Sequence, residues 1–424
     1  MEDSQSPYFC ILPWIHMFIK QDSLVYPCCF GTEVAPFGDV REDDFLDLAN
    51  GEPMKALRRN MLEGRPSAHC TRCYDAEAAG FTSLRQHKNK EFADHLPRCR
   101  STAPDGHVAD FQLKYLDIRF SNICNFKCRF CGHPSSSLWY DEYMKLFPNY
   151  EPPRILKAGR SDDDLWRQIE KTLPHIECVY FAGGEPLIMK EHYMILNRLI
   201  ELGRTNVTLS YNTNMSLLRY KDEAVLDLWK QFDKIHLGIS IDGIGKRAEY
   251  IRKGTVWRTF VDNIRTVREQ CPHISMCGNL TITIFNVMTF ADIFQYIDDS
   301  GLFDTPPLNI NFLTNSPIYC VQILPPAMKN RAAVPIAQLA HKLDGDGRQS
   351  EASSVRAINN FMNSAKTTEL IPAFFELTDK LDVYRKESFD DTFPELADLR
   401  PFANEMESQP AAMSEPSTSA SGEG

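Results

Sequence analysis

Three cysteines, Cys124, Cys128 and Cys131, fall within the run Ser121-Asn122-Ile123-Cys124-Asn125-Phe126-Lys127-Cys128-Arg129-Phe130-Cys131-Gly132. A loop of this length can wrap three thiolates around three irons of a cubane cluster and leave the fourth iron open to a small chelating molecule. An open iron implies chemistry rather than scaffolding. The competing use of such thiols is structural zinc, which takes four N/S ligands, commonly as two CxxC-like pairs. Here three thiols sit in eight residues, and His133 as a fourth ligand would lie very close in sequence to Cys131. The spacing therefore favours an iron–sulfur cluster.

Groups at the ends of later strand-like runs could serve a ligand on that iron. Tyr180-Phe181-Ala182-Gly183-Gly184-Glu185-Pro186 places two glycines where the backbone can approach closely or take positive φ, with Glu185 as an acceptor for a protonated amine. Ser210-Tyr211-Asn212-Thr213-Asn214 and Gly238-Ile239-Ser240-Ile241-Asp242-Gly243 end in hydroxyl, amide and carboxylate groups able to bind ribose hydroxyls, and Arg252 could grip a carboxylate bidentately. Asn214 and Asp242 are equally at home as turn or helix-capping residues. Taken together, a thiolate-held cluster, an amine site, ribose-binding groups and a carboxylate-binding Arg describe a pocket for S-adenosylmethionine.

Such groups need a frame. From about residue 113 to 315, short apolar runs alternate with helical stretches, the pattern of βα units around a parallel sheet. Strands are expected at Leu113–Phe120, Cys178–Phe181, Val207–Tyr211, Lys234–Ile241, Ile274–Ile284 and Leu308–Leu313, with helices such as Asp163–Leu173, Lys190–Gly203 and Thr289–Ile297 between them. Six units make a partial (β/α)6 TIM-like barrel in an α/β fold, with reactive groups at the carboxyl ends of the strands. The expected organisation is a small cysteine-rich module over residues 1–100, the barrel over 108–320, a helical region over 321–403 and a disordered tail over 404–424. The tail is rich in Ser, Glu, Ala, Pro and Gly. The helical stretch Pro325–Phe361 carries a break at Asp344-Gly345-Asp346-Gly347.

Composition bounds the partners. The chain has 424 residues, 43% hydrophobic, 13 Cys and a formal charge of −11, which argues against a broad nucleic-acid or anionic-membrane footprint. No apolar run reaches the roughly 18 residues that span a bilayer, and the N-terminus lacks a basic segment before an apolar one. These features predict a cytoplasmic protein, in which clustered cysteines serve as metal ligands and free thiols rather than disulfides.

Cys124-x3-Cys128-x2-Cys131 with Phe130 before the last cysteine, then Gly183-Gly184-Glu185-Pro186, then the Ser-Ile-Asp-Gly run, resembles the radical S-adenosylmethionine (SAM) superfamily over roughly residues 113–315. The resemblance implies a [4Fe–4S] cluster whose open iron binds the amino and carboxylate groups of SAM. It also implies reductive cleavage to a 5′-deoxyadenosyl radical that abstracts hydrogen from a substrate, and a low-potential electron donor such as flavodoxin or ferredoxin. Phe130, Gly183, Gly184, Glu185, Thr213, Asn214, Ser240, Asp242 and Arg252 would bind the cofactor.

The N-terminal segments Cys10-Ile11-Leu12-Pro13-Trp14-Ile15-His16, Val25-Tyr26-Pro27-Cys28-Cys29, Leu57-Arg58 and Cys70-Thr71-Arg72-Cys73 resemble the auxiliary cluster-binding SPASM/twitch module of these enzymes. Cys10, Cys28, Cys70 and Cys73 would hold one further [4Fe–4S] cluster, with Cys29 the alternative at the second position and a structural zinc knot the alternative occupant. The pattern departs from the family in two ways. The module precedes the barrel instead of following it, and Met215 stands where a glycine often follows Thr-Asn. The remaining cysteines, Cys99, Cys178, Cys271, Cys277 and Cys320, are expected as packed small hydrophobes.

Peptides and small metabolites are the substrate classes this resemblance implies, although no leader-peptide-binding domain is evident. An RNA substrate would need a basic entrance. The reading from another class is a non-catalytic zinc or iron–sulfur protein, binding or sensing, that acts through a protein partner.

Overall fold

The computed structural model describes residues 6–32, 34–78, 82–149 and 151–408, the last five as backbone only. They form two compact units, Met1–Leu280 with Phe294–Asn309, and Thr281–Ile293 with Ile310 onward. One nine-stranded sheet organises the first. In chain order its strands are β1 (His16–Ile19), β2 (Leu24–Tyr26), β3 (Gly38–Asp39), β4 (Tyr115–Ile118), β5 (Cys178–Phe181), β6 (Thr208–Thr213), β7 (Ile235–Ser240), β8 (Ser275–Ile282) and β9 (Leu308–Phe312). Across the sheet they run β9-β8-β7-β6-β5-β4-β1-β2-β3.

All six expected strands are present, trimmed by one or two residues at most ends and extended by two at the end of β6, with the expected helices between them at Asp162–Glu170, Lys190–Glu201 and Phe290–Asp299. β4 through β8 pair in parallel. This is the α/β partial barrel that the alternation predicts.

The N-terminal segment, read as a separate module, instead continues this sheet. β1 pairs in parallel with β4, His16 against Tyr115 through Ile19 against Ile118, and β2 and β3 follow as antiparallel strands. All four residues of β1 are buried. An open barrel leaves the free edge of β4 with unpaired backbone groups, and an apolar strand covers it. A pairing that joins residues about 99 positions apart leaves no local mark in sequence.

Alternation sorts the sheet's two faces. Leu116, Val179, Leu209, Tyr211, Leu237, Ile239, Met276 and Leu280 are buried. On this side Tyr211 accepts from the Trp229 indole at 3.0 Å and bonds His192 at 3.0 Å. The opposite, inner face carries Asp117, Tyr180, Asn212, Ser240 and Asn279. A polar inner wall is unlike the branched aliphatic layers that fill a closed barrel.

Gly238 of β7 allows two of these side chains to meet. Asn279 donates to the Asn212 amide oxygen at 2.6 Å across β7, and a Cβ at Gly238 would lie 2.2 Å from Asn279 Nδ2 and 2.7 Å from Asn212 Oδ1. Gly238→Ala is expected to separate the amides and destabilise the protein by about 1–3 kcal/mol. A urea unfolding midpoint equal to that of the parent would refute this.

In the second unit, helices Pro326–Gly345 and Gln349–Asn363 flank a short break at 346–348, as the sequence indicated. Phe285, Tyr319, Phe374, Phe389 and Phe393 form its aromatic core, with centroids 5.3–6.2 Å apart for the pairs that Phe285 makes. The backbone of 404–408, expected to be disordered, completes the helix Leu399–Ser408, because a helix already nucleated by apolar residues propagates at little cost. The rest of the expected tail, 409–424, lies outside the described residues. Among the described residues no helix is long and apolar enough to cross a membrane.

Candidate functional site

The cysteine loop leaves the carboxyl end of β4, where a parallel sheet presents its ligand-binding groups. Asn122, fully buried, pins both ends of the loop: its amide donates to the His133 carbonyl at 2.8 Å and its oxygen accepts from the Leu156 N–H at 2.9 Å. His133 Nε2 sits 2.9 Å from the Arg154 carbonyl, so this nitrogen is engaged away from the cysteines. A two-residue ribbon then pairs Lys127–Cys128 with Arg252–Lys253, setting Arg252 opposite Cys128. The Arg252 guanidinium lies 3.6 Å from the Cys128 sulfur and donates to Asp242 at 2.5 Å. Its carbon is 5.7 Å from the Phe130 ring centroid.

The two glycines act as the sequence suggested, and the structure shows against what. Gly183 and Gly184 both have positive φ, 81° and 57°. A Cβ on Gly183 would strike Arg119 at 2.4 Å, and one on Gly184 the Ile123 carbonyl oxygen at 2.1 Å. The turn thus docks onto the cysteine loop, with the Glu185 N–H donating to Ile123 at 2.9 Å.

Glu185 is buried, and its carboxylate accepts from the Leu187 N–H at 3.1 Å, the Thr213 hydroxyl at 2.7 Å and the Asn214 N–H at 2.7 Å. Burial raises its pKa, and these donors oppose the rise. Of the roughly four lone pairs on a carboxylate, one is left for an amine.

Thr213 and Asn214 are likewise engaged. Thr213 takes the Met215 N–H at 3.0 Å, and Asn214 bonds Asn125 of the cysteine loop at 2.8 Å while accepting from Ser216. They form the turn that joins β6 to the cluster loop, which was the plainer reading of Asn214. Met215 departs from the glycine pattern in residue type but keeps the left-handed backbone, with φ 51°.

One cavity of about 310 Å3 gathers these groups: Cys124, Cys128, Cys131, Gly183, Gly184, Glu185, Thr213, Asn214, Ser240 and Arg252 all line it. Asp242 does not, but it anchors Arg252 from behind with its carboxylate fully buried. Burial alone would lower the Arg252 pKa, and Asp242 with Cys128 and Cys131 outweighs it. The guanidinium is therefore a fixed cation beside thiols destined to become thiolates. Burial pushes the Cys124 thiol up to about 12, and Cys128 beside Cys131 together with burial raises the latter. Metal binding to such thiols would release their protons.

The N-terminal cysteines sort themselves. Cys10 is raised chiefly by burial and then by Cys70 and Cys73, while Cys28 is raised by burial, Cys29, Cys10 and Cys70. Cys10, Cys28, Cys70 and Cys73 thus share one neighbourhood. Burial pushes the adjacent Cys29 up to about 12, with Asp117 adding to the rise and Arg119 opposing it. Buried Arg58 braces this region, donating to the Pro13 carbonyl at 2.9 and 2.7 Å and to Asn50 at 3.0 Å.

Tetrahedral zinc at about 2.3 Å from each sulfur would draw its ligands to within about 3.8 Å of one another. Among the described residues no three His, Cys, Asp or Glu side chains converge on a single-ion position.

Arg119, Asp117, Asn122 and Asn125 escaped the sequence reading. Asp117 and Arg119 occupy alternate positions of the first expected strand, and charge at period two within an apolar run was the available signal. Cys277, expected as a packed hydrophobe, is half-buried on the inner wall and lies 3.1 Å from the Asn309 amide.

Fold and cavity together define a partial-barrel protein in which three cysteines of one loop line a common cavity. Residues 118–299 match the model of the radical SAM superfamily, and residues 10–74 match that of the iron–sulfur cluster-binding domain SPASM. Residues 118–299 thus form a radical SAM domain, with an auxiliary-cluster module at its amino-terminal side, and these domains carry a SAM-binding [4Fe–4S] centre and an auxiliary iron–sulfur site. The chain is similar to GTP 3′,8-cyclase of Mannheimia succiniciproducens, 27% identical over 34% of this chain and 38% of the relative. It is also similar to an S-adenosylmethionine-dependent nucleotide dehydratase of Selenomonas ruminantium, 26% identical over 31% and 40%. The chain thus spans about two fifths of the curated relatives it matches. Among solved structures, anSMEcpe with bound AdoMet aligns at 15% identity over 56% of this chain and 60% of that one, with a TM-score of 0.40.

Proposed function

We propose that the protein reductively cleaves SAM at a cluster held by Cys124, Cys128 and Cys131 and abstracts hydrogen from a peptide or small-metabolite substrate. An auxiliary cluster on Cys10, Cys28, Cys70 and Cys73 assists it. The observation that carries this reading is the single cavity into which the three cysteines, the Gly183-Gly184 turn and Arg252 all open. When bound, the cluster and SAM supply a radical able to take hydrogen from carbon.

The chain's part is positioning. Arg252 offers a carboxylate its remaining N–H groups, exposed backbone at Gly183 and Gly184 and the last Glu185 lone pair accept an amine, and Ser240 is the hydroxyl at the cavity wall. The nucleotide substrates named for two relatives support the small-metabolite branch. A low-potential flavodoxin or ferredoxin would deliver electrons.

Anaerobically purified protein is expected to be brown, with about eight irons, and to release 5′-deoxyadenosine when given SAM and a strong reductant. A colourless, zinc-loaded chain that releases no nucleoside after reconstitution would sink the proposal. Cys73→Ala is expected to lose about four irons and substrate turnover while retaining some uncoupled SAM cleavage. Cys29→Ala should keep all eight irons. Iron loss in Cys29→Ala comparable to that in Cys73→Ala would overturn the choice of Cys28.

A further inference from the structure

The inner wall carries a chain of polar side chains that the cofactor site does not use. Asn309 donates to the Asn279 oxygen at 3.1 Å, Asn279 to Asn212 at 2.6 Å, and Asn212 to the Tyr180 hydroxyl at 2.5 Å. Every amide in the series donates in the same direction. At its end the Tyr180 oxygen is an acceptor, and its own proton has no partner among the described residues. Beside it, register sets Asp117 directly across from Tyr180, and neighbours so paired are about 5 Å apart at Cβ.

Asp117 is fully buried, and its Oδ1 is paired with Arg119. Its Oδ2 has no hydrogen-bond partner. A buried carboxylate oxygen left without a donor costs free energy, which a ligand N–H would recover. Arg119 completes the set. Its guanidinium lies between the Phe18 and Tyr180 rings, 5.1 and 5.0 Å from their centroids. Of the three, Arg119 lines the same cavity as Cys124, Cys128 and Cys131.

We propose that Asp117, Arg119 and Tyr180 form a binding site for the edge of a carboxamide or lactam, whose carbonyl accepts from Tyr180 and Arg119 and whose N–H donates to Asp117 Oδ2. This rests on the reading of the cavity as a reaction chamber. The pair Asp117–Arg119 is neutral overall, so an uncharged ligand group matches it, and the site offers donors and an acceptor side by side. A trans peptide bond points its C=O and N–H in opposite directions. A primary carboxamide, as on a peptide's Gln or Asn side chain, and a ring lactam, as in a nucleobase, each present both on one edge.

The test is equilibrium dialysis of the cluster-loaded chain against two probe pairs: N-acetylglutamine methyl ester with its side-chain N,N-dimethylamide, and uridine with 3-methyluridine. At least one parent probe is expected to bind tenfold or more tightly than its methylated partner, and which one does so separates the peptide source from the nucleoside source. Tyr180→Phe, which removes one oxygen, should lower that affinity at least fivefold, and Asp117→Ala should erase the preference. Equal binding within both pairs, no binding at millimolar concentration, or full preference in Tyr180→Phe would overturn the proposal. Release of 5′-deoxyadenosine by the same wild-type preparation is scored separately. Its absence counts against the radical reading alone, because the probe preference needs no turnover.

Discussion

Cys128→Ala is expected to release no measurable 5′-deoxyadenosine and to bind about four irons instead of eight, while its far-ultraviolet dichroism matches that of the parent. The separation of function from folding follows from how the loop is held. The Cys128 backbone, not its sulfur, pairs with Arg252 and accepts from the Trp139 indole at 3.0 Å. Those bonds survive the substitution. In the proposed assignment the sulfur is one of three thiolates that ligate three irons, and two would leave a second iron open. Cys178→Ala is the matched control: Cys178 is also buried, but it lies on β5, and its variant should keep all eight irons. Full iron in Cys128→Ala, or equal iron loss in the control, would show that the cysteine loop is not the ligand set.

Arg252→Met is expected to cost about 3–5 kcal/mol of stability, because it removes the Arg252 cation from the buried Asp242 carboxylate. Loss of a charge-assisted contact to SAM would add a cofactor-binding defect of about 1.5–3 kcal/mol. The two effects can be separated. A double variant, Arg252→Met with Asp242→Leu, removes both charges and should regain most of the urea midpoint, yet SAM affinity should stay as low as in the single variant. Recovery of SAM binding in the double variant would exclude Arg252 as a cofactor contact. An Arg252→Met protein as stable as the parent would mean that the pair holds little together.

The parts legible in sequence were those written locally. The Cys124-x3-Cys128-x2-Cys131 spacing, the Gly183-Gly184 turn and six strands in a βα alternation need only neighbouring residues to be recognised, and each stands where it was expected. What stayed hidden depended on partners distant in sequence. The pairing of β1 with β4 and the ribbon that sets Arg252 opposite Cys128 are of that kind. Asn214 and Thr213 show the same limit from the other side. Their types suit ribose and both line the cavity, but their bonds to Glu185, 28 and 29 residues away, through the Thr213 hydroxyl and the Asn214 backbone N–H, left no mark in sequence.

The pairing of β1 with β4 also works as a ruler. β1 and β4 run in the same direction, and Cys124, Cys128 and Cys131 follow the carboxyl end of β4. Cys10 precedes the amino end of β1, and Cys28 follows β2, which returns antiparallel to that same end. The two sulfur sets therefore occupy opposite ends of one pair of strands, with Asp117 and Tyr180 at an intermediate height. Each residue of strand sets about 3.3 Å of their separation. A deletion within β1 would change the spacing and, through the one-residue slip, turn Phe18 away from Asp117. The hydrogen-bond ladder of four residue pairs is thus the gauge that sets how far apart Cys10 and Cys28 stand from Cys124, Cys128 and Cys131.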